Sequence, residues 1–403
     1  MASLLRKLFS CSCRDDDLPF QIAGGAQCTD HGLYHVQVQH SKYPLGCGTP
    51  SAPTGTLHLP INRSAPPATS GRLAALREFE HGVLSKATSR FHRRALLGEG
   101  TAGAAFRGTV LGNDGLQIPV AIKRFYATIR KEDVESVRSD LTLAGDPLRH
   151  RNLVYLIGYC LTNQTLYLVY DLMDNGNLEK HLFSSDGHHL SWSRRFSIIR
   201  GVALGLQHLH SNGSVHGSVK ASKIFLEEGD LTPRLGNFGY SRLEPHMATL
   251  RDDIRVVHRL PEAAECLAPV CSAKATREAD VFYFGAMVVE VVCGRRFFGG
   301  GVPDSFRLLV DWVWSLHGAG RILDAVDAAL LAAADGDLNR AQAERLLLVG
   351  LACSYRDPKQ RLDMDTVVKI LQSDSVPPPD VPPMKPEYEP PDHHHAKTSV
   401  PQS

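Results

Sequence analysis

Short apolar runs fill the first part of the patterned region and give way to helical spacing in the rest. Residues 104–110, 119–124 and 166–170 are brief and apolar, and Gly, Asn and Asp punctuate the first of the gaps between them, which predicts strands joined by turns. Beyond Asn175 the period changes. A helix is predicted from Ser191, with Ile199, Val202, Leu206 and Leu209 three or four residues apart and Asn212 and Gly213 stopping it. Residues 279–292 are apolar on nearly every side, the pattern of a buried helix, and residues 338–353 are a further helix candidate. Strands followed by helices predict an α+β fold of two lobes, with a ligand site in the cleft between them. The flanks have no such pattern. Residues 1–77 mix Gly, Pro, Ser, Thr and His as linkers do, and residues 374–403 are rich in Pro, so both are expected to be disordered.

Composition narrows the function classes. A chain of 403 residues that is 43% hydrophobic can bury one large core or two modest ones. A net charge of +1 gives no reason to expect a nucleic-acid partner. No stretch approaches the ~20 apolar residues of a membrane span; the run 286–292 is short and carries Glu290. The nine cysteines include no CxxC pair repeated at zinc-ligand spacing, so reduced thiols in a cytoplasmic protein are expected. The first residues do not read as a signal peptide, and Ala2 excludes N-myristoylation. Cys11 and Cys13, beside Leu8, Phe9, Arg6 and Lys7, are read as idle. Their palmitoylation is the alternative that would bring the chain to the inner face of the plasma membrane, although one lipid signal anchors weakly. His393, His394 and His395 are likewise read as idle rather than as a metal site.

The chemistry-bearing motifs fall in order. Gly98-Glu99-Gly100-Thr101-Ala102-Gly103 is a glycine-rich turn, weak evidence alone, followed by Val120-Ala121-Ile122-Lys123. Glycines let backbone N–H groups approach phosphates, and Lys123 would neutralise phosphate charge. Then come His150-Arg151-Asn152-Leu153-Val154, the run from Leu166 to Met173, Asn175-Gly176-Asn177-Leu178, Asp280 in Ala279-Asp280-Val281-Phe282-Tyr283-Phe284-Gly285, and Cys353 to Arg361. Phe79, Leu84, Ala87, Thr88 and Phe91 precede them as FxxxxLxxATxxF. Together these resemble the plant receptor-like protein kinases, and among them the kinase domain of the lectin-type receptor kinases, over residues 78–373. The resemblance implies a strand-rich N-lobe at about 92–173 and a helical C-lobe at about 174–373. It implies nucleotide contacts at Gly98, Gly100, Gly103, Ala121, Lys123, Asp140, Tyr170 as gatekeeper, Asp171 and Met173 in the hinge, and Phe225 under the adenine. It makes Asp140 the ion-pair partner of Lys123, and His216, Phe238 and Asp280 the internal supports of the fold.

The sequence departs from that family where phosphate is transferred. A kinase orients the acceptor hydroxyl with an Asp and holds Mg²⁺ with an Asn and a second Asp. Here those positions are Ser218, Lys223 and Asn237. A hydroxyl cannot accept a proton at neutral pH as a carboxylate does, and losing a general base typically costs ~10²–10⁴ in rate. Lys223 puts a cation where a metal ligand belongs. Gly217 replaces the Arg that would receive a phosphate on Thr249, residues 262–266 do not keep the substrate-gripping GTxGY, and Val270 removes the Glu partner of Arg361.

A pseudokinase is therefore expected: a scaffold or allosteric partner of active receptor-like kinases. Lys123 and the glycines leave weak, Mg²⁺-independent ATP binding open. The alternative is an atypical serine/threonine kinase working through Lys123, Asp140 and Asn237.

Overall fold

The computed structural model describes residues 76–100, 102–112, 114–144, 148–183, 190–236, 243, 246, 275–297, 302–303, 305–332 and 336–387. All lie in one compact unit, Thr69–Ser403.

Six strands build the N-lobe: β1 (Arg77–Glu78), β2 (Leu96–Gly100), β3 (Gly103–Leu111), β4 (Gln117–Thr128), β5 (Leu156–Thr162) and β6 (Thr165–Asp171). They lie in the order β1-β5-β6-β4-β3-β2, antiparallel except for β1 on β5. The expected strands are present and run one or more residues longer at their ends. Burial alternates along β3, with Phe106, Gly108 and Val110 inward and Arg107, Thr109 and Leu111 outward. On β6, Leu166 through Tyr170 are buried without alternation, because this central strand is covered on both faces. Residues 150–154 form a turn, and β5 starts at Leu156. That turn docks the N-lobe on the C-lobe: Val154 N–H donates to Leu235 O at 3.1 Å, and Asn152 Nδ2 donates to Pro233 O at 2.9 Å.

The N-lobe begins earlier than residue 92. β1 joins β5, and Phe79 and Leu84, the latter in helix α1 (His81–Ala87), fill a small second core with Val120, Ile122 and Val169. Ser89, Arg90 and Phe91 all have left-handed backbone, with φ of 52°, 62° and 56°, at a cost of about 1–2 kcal/mol each. Thr88 holds them, its Oγ1 accepting from Phe91 N at 3.0 Å and donating to Leu84 O at 2.9 Å. The turn aims the Phe91 ring at Tyr167 and Phe106, with centroids 5.3 and 5.4 Å away. Helix α2 (Val134–Ala144) completes this lobe.

The C-lobe comprises α3 (Leu178–Phe183), α4 (Trp192–Ser211), the hairpin β7 (Ile224–Leu226) and β8 (Pro233–Leu235), α5 (Arg277–Cys293), α6 (Leu309–Gly318), α7 (Ala328–Ala332), α8 (Arg340–Cys353) and α9 (Met364–Gln372). The three expected helices appear as α4, α5 and α8. Ser191 is the N-cap of α4, and Asn212 caps its other end. At the α5–α8 crossing a Cβ on Gly285 would lie 2.7 Å from both Cys353 Cβ and Gly350 O, so only glycine permits this approach. Cys160, Cys293 and Cys353 are buried free thiols.

The Pro-rich tail differs from expectation. Residues 376–387 lie against the C-lobe. Val381 is buried, its carbonyl accepts from His317 Nε2 at 3.0 Å, and Lys385 pairs with Asp311. Gly318 makes room, since a Cβ there would sit 2.5 Å from Pro383 O. Composition does not reveal that α6 presents partners for these residues.

Two glycine variants test the packing. Gly285→Ala should lower unfolding free energy by ~1–3 kcal/mol through overpacking. Gly82→Ala, in α1 with nothing within 4 Å of its added Cβ, should leave stability unchanged or raise it by up to ~1 kcal/mol. Denaturant titration of both variants gives the comparison.

Candidate functional site

Asp280 organises the loop that carries the degenerate catalytic positions. It sits in the first turn of α5, where Thr276 caps the helix by accepting from Ala279 N at 3.1 Å. The helix dipole favours a carboxylate there. Its side chain is fully buried and its oxygens accept from His216 N at 2.6 Å, Gly217 N at 2.7 Å and His210 Nε2 at 3.1 Å. Gly217 supplies the positive φ, 82°, that turns both amides toward the carboxylate. His216 is buried too. Its Nδ1 accepts from Ser218 N at 3.2 Å and its Nε2 donates to Gly236 O at 2.8 Å, which fixes a neutral ring. Burial pushes its pKa down to about 4. The loop is thus held in place while its reactive position is only the Ser218 hydroxyl. His210, absent from the sequence expectations, is the third donor; nothing local marks it.

Lys223 ends a short 3₁₀ turn, Ala221–Lys223. Its backbone is fixed on both sides, its N–H donating to Lys220 O at 2.9 Å and its carbonyl accepting from Gly236 N at 2.8 Å. Burial, then the nearby charges of Lys123 and Lys220, push its pKa down to about 7. Lys123 lies on β4. It stands in register with Ala105 and Leu168, its Nζ lies 4.6 Å from the centre of the Phe125 ring, and burial lowers its pKa to about 8. Lys223 itself is no metal ligand while protonated, since it offers a positive charge and no lone pair.

The other expected nucleotide positions line up along the strands. Gly100 and Gly103 face each other across the β2–β3 hairpin. A Cβ on Gly98 or Gly100 would meet nothing within 4 Å, whereas one on Gly103 would sit 2.1 Å from Arg124 O. The first two glycines thus leave open room above the site, and the third is needed for sheet closure. Ala121 pairs with Tyr170, whose buried phenol has a raised pKa. Asp171 is held by its N–H donating to Tyr155 O at 3.0 Å, and Arg234 approaches its carboxylate at 3.6 Å. Burial raises the Asp171 pKa despite that arginine. Met173 packs on the core edge. The Phe225 ring lies against Gly236, where a Cβ would come within 2.7 Å of it.

Asp140 is a correction. Among the described residues no ion pair joins it to Lys123. His246 Nε2 lies 3.1 Å from its Oδ2, and the same ring approaches Asp133 at 3.5 Å. His246 is remote in sequence, so only folding reveals it. Arg361, expected to need a new partner, donates to the carbonyls of Tyr355, Glu278 and Arg356 at 2.8, 2.7 and 3.1 Å and lies over the Phe282 ring. Asn237, Phe238, Thr249 and residues 262–270 lie outside the described residues, as do Cys11, Cys13 and the His393–His395 run. A cavity of about 580 Å³ among Ser89, His92, Arg94, Ala95 and Arg107 involves none of the expected nucleotide positions.

Two variants check this geometry. Asp280→Ala leaves three buried donors unpaired and should cost at least ~3 kcal/mol of stability. Lys223→Met should stabilise the fold. A lysine whose folded pKa is depressed binds fewer protons folded than unfolded between about pH 7 and 10.5. The penalty is therefore full below pH 7 and fades as pH rises. Thermal melts of wild type and variant should differ most below pH 7 and converge toward pH 10.

The comparisons with known proteins agree with the fold. The family described as protein tyrosine and serine/threonine kinase matches residues 91–305, more than half of the chain. The rice (Oryza sativa subsp. japonica) L-type lectin-domain containing receptor kinase SIT2 is 38% identical over 76% of the chain. The chain spans only 44% of that relative's length. Receptor like protein kinase S.3 of Arabidopsis thaliana is 35% identical over 79% of the chain and 88% of its own length. A solved structure of the pseudokinase DRIK1 (drought responsive inactive kinase 1) bound to ENMD-2076 matches with a TM-score of 0.55 at 21% identity, covering 74% of this chain and 96% of that one, a likeness of fold. Sequence motifs, lobe architecture and relatives concur, and the chain belongs to the protein tyrosine and serine/threonine kinase family.

Proposed function

We propose that this kinase domain transfers no phosphate and works as a pseudokinase, a scaffold or allosteric partner of active receptor-like kinases that binds ATP weakly and independently of Mg²⁺. The observation that carries the reading is the contrast around one loop. Asp280, His216 and Gly217 keep it rigid, yet it presents a Ser218 hydroxyl and a Lys223 ammonium where a general base and a metal ligand belong. Asp140, the expected ion-pair partner of Lys123, is engaged by His246. A fold retained without its reactive groups offers its surface to other proteins. The receptor kinase relatives suggest the class of partner, and no helix among the described residues is long and apolar enough to cross a membrane. Cytoplasmic residence, with or without palmitoylation of Cys11 and Cys13, belongs to the same reading.

Radiolabelled ATP with Mg²⁺ or Mn²⁺ and a generic acceptor protein should give no incorporation above that of Lys123→Ala. Incorporation that disappears in Lys123→Ala would establish the atypical kinase instead. Capture of a lectin-type receptor kinase domain should be equal for wild type and Lys123→Ala, because scaffolding needs the surface and not the cleft.

A further inference from the structure

The cavity of about 580 Å³ in the N-lobe is lined by one hydroxyl and three basic side chains, Ser89, His92, Arg94 and Arg107, with Ala95 completing the wall. The lead-in that forms most of it is one-signed. Between Glu80 and Glu99 the chain carries Lys86, Arg90, Arg93 and Arg94 and no acid. Among the described residues the Arg94 guanidinium and the Ser89 hydroxyl make no hydrogen bond or ion pair. His92 Nδ1 accepts from Arg94 N at 3.2 Å, so the proton of the neutral ring is on Nε2, which is left as a donor. Arg107 does have a partner, Asp174 at 2.6 Å, but both groups are largely exposed and such a pair contributes little. Ser89 is exposed and opens the left-handed turn Ser89–Phe91. Its position is set by its own N–H donating to Lys86 O at 3.2 Å and by Thr88 accepting from Phe91 N. Unpaired cations gathered around one hydroxyl favour an anion on that hydroxyl.

We propose that Ser89 is a phosphorylation site whose phosphoryl group is received in this cavity by Arg94, His92 and Arg107. In the step, Ser89 Oγ bonds to the γ-phosphorus of ATP held by an active protein kinase. The bond from that phosphorus to the β–γ bridging oxygen breaks, ADP leaves, and the hydroxyl proton passes to that kinase's catalytic carboxylate. The product carries about two negative charges and three acceptor oxygens. Arg94 can take two of those oxygens through its planar fork. His92 Nε2–H and Arg107 serve the third. His92 and Arg94 follow Ser89 by three and five residues, and Arg107 stands on β3. The phosphate therefore ties the lead-in to the sheet and steadies a turn whose left-handed backbone is otherwise costly. The site is separate from the loop of Ser218 and Lys223 and does not depend on whether that loop transfers phosphate.

Phosphoserine installed at position 89 of the whole chain during translation tests the receiving geometry without any partner. The melting midpoint should rise by about 2–4 °C over the unmodified chain. Phosphorus NMR should place the second pKa of the phosphate below its ordinary value of about 6, because neighbouring cations favour the dianion. Arg94→Gln should remove both effects and leave the midpoint of the unmodified chain unchanged. Access is tested separately: an active lectin-type receptor kinase domain with ATP and Mg²⁺ should phosphorylate Ser89 of the unmodified chain, read by mass spectrometry of the peptide that contains it. The proposal fails if phosphoserine leaves the midpoint unchanged, if its phosphate titrates as in an unstructured peptide, if Arg94→Gln alters neither effect, or if the kinase leaves Ser89 unmodified. It also fails if inorganic phosphate stabilises the unmodified chain as much as phosphoserine does, which would assign the cavity to a free anion. Scaffolding is read by capture, so its failure and the failure of this proposal are told apart.

Discussion

One buried carboxylate holds the centre of the C-lobe. Asp280 is fully buried, and its charge is stabilised by two backbone amides, His210 and the dipole of its own helix. Those contacts tie the end of α4, the start of α5 and the loop from His216 to Lys223 together. His216 then passes the constraint on through Gly236, and Gly236 positions both Lys223 and Phe225. A charge this deep is tolerated only when its lone pairs are filled, so the loop cannot easily adopt another path.

The same rigidity lets the loop carry other side chains without losing shape. Ser218 uses its backbone N–H in the His216 contact, and Lys223 uses its N–H and carbonyl; neither contact depends on the side chain. Replacing an acid by serine and an amide by lysine therefore leaves the scaffold intact while changing the electrostatics of the cleft. Burial of the new lysine lowers its pKa to about 7.

Elsewhere, backbone groups absorb the departures from the family pattern. Arg361, deprived of its carboxylate by Val270, donates to three carbonyls and stacks on Phe282. Residues 376–387 gain order from a lysine–aspartate pair, one histidine hydrogen bond and the space left by Gly318. The left-handed turn at Ser89–Phe91 is held by Thr88 and by the aromatic contacts of Phe91.

The sequence alone determined the class of fold, the longer strands and helices, and the identities at the reactive positions. These follow from periodicity and from motifs whose residues sit close together in the chain: Lys123 in its strand, Ser218 and Lys223 five apart in one loop. Tertiary structure alone decided which groups meet. His246 takes Asp140, His210 joins Asp280, the lead-in helix enters the N-lobe core, and the Pro-rich tail rests on α6. Each is a contact between segments far apart in sequence, set by sheet order and helix packing, and composition carries no information about such distances.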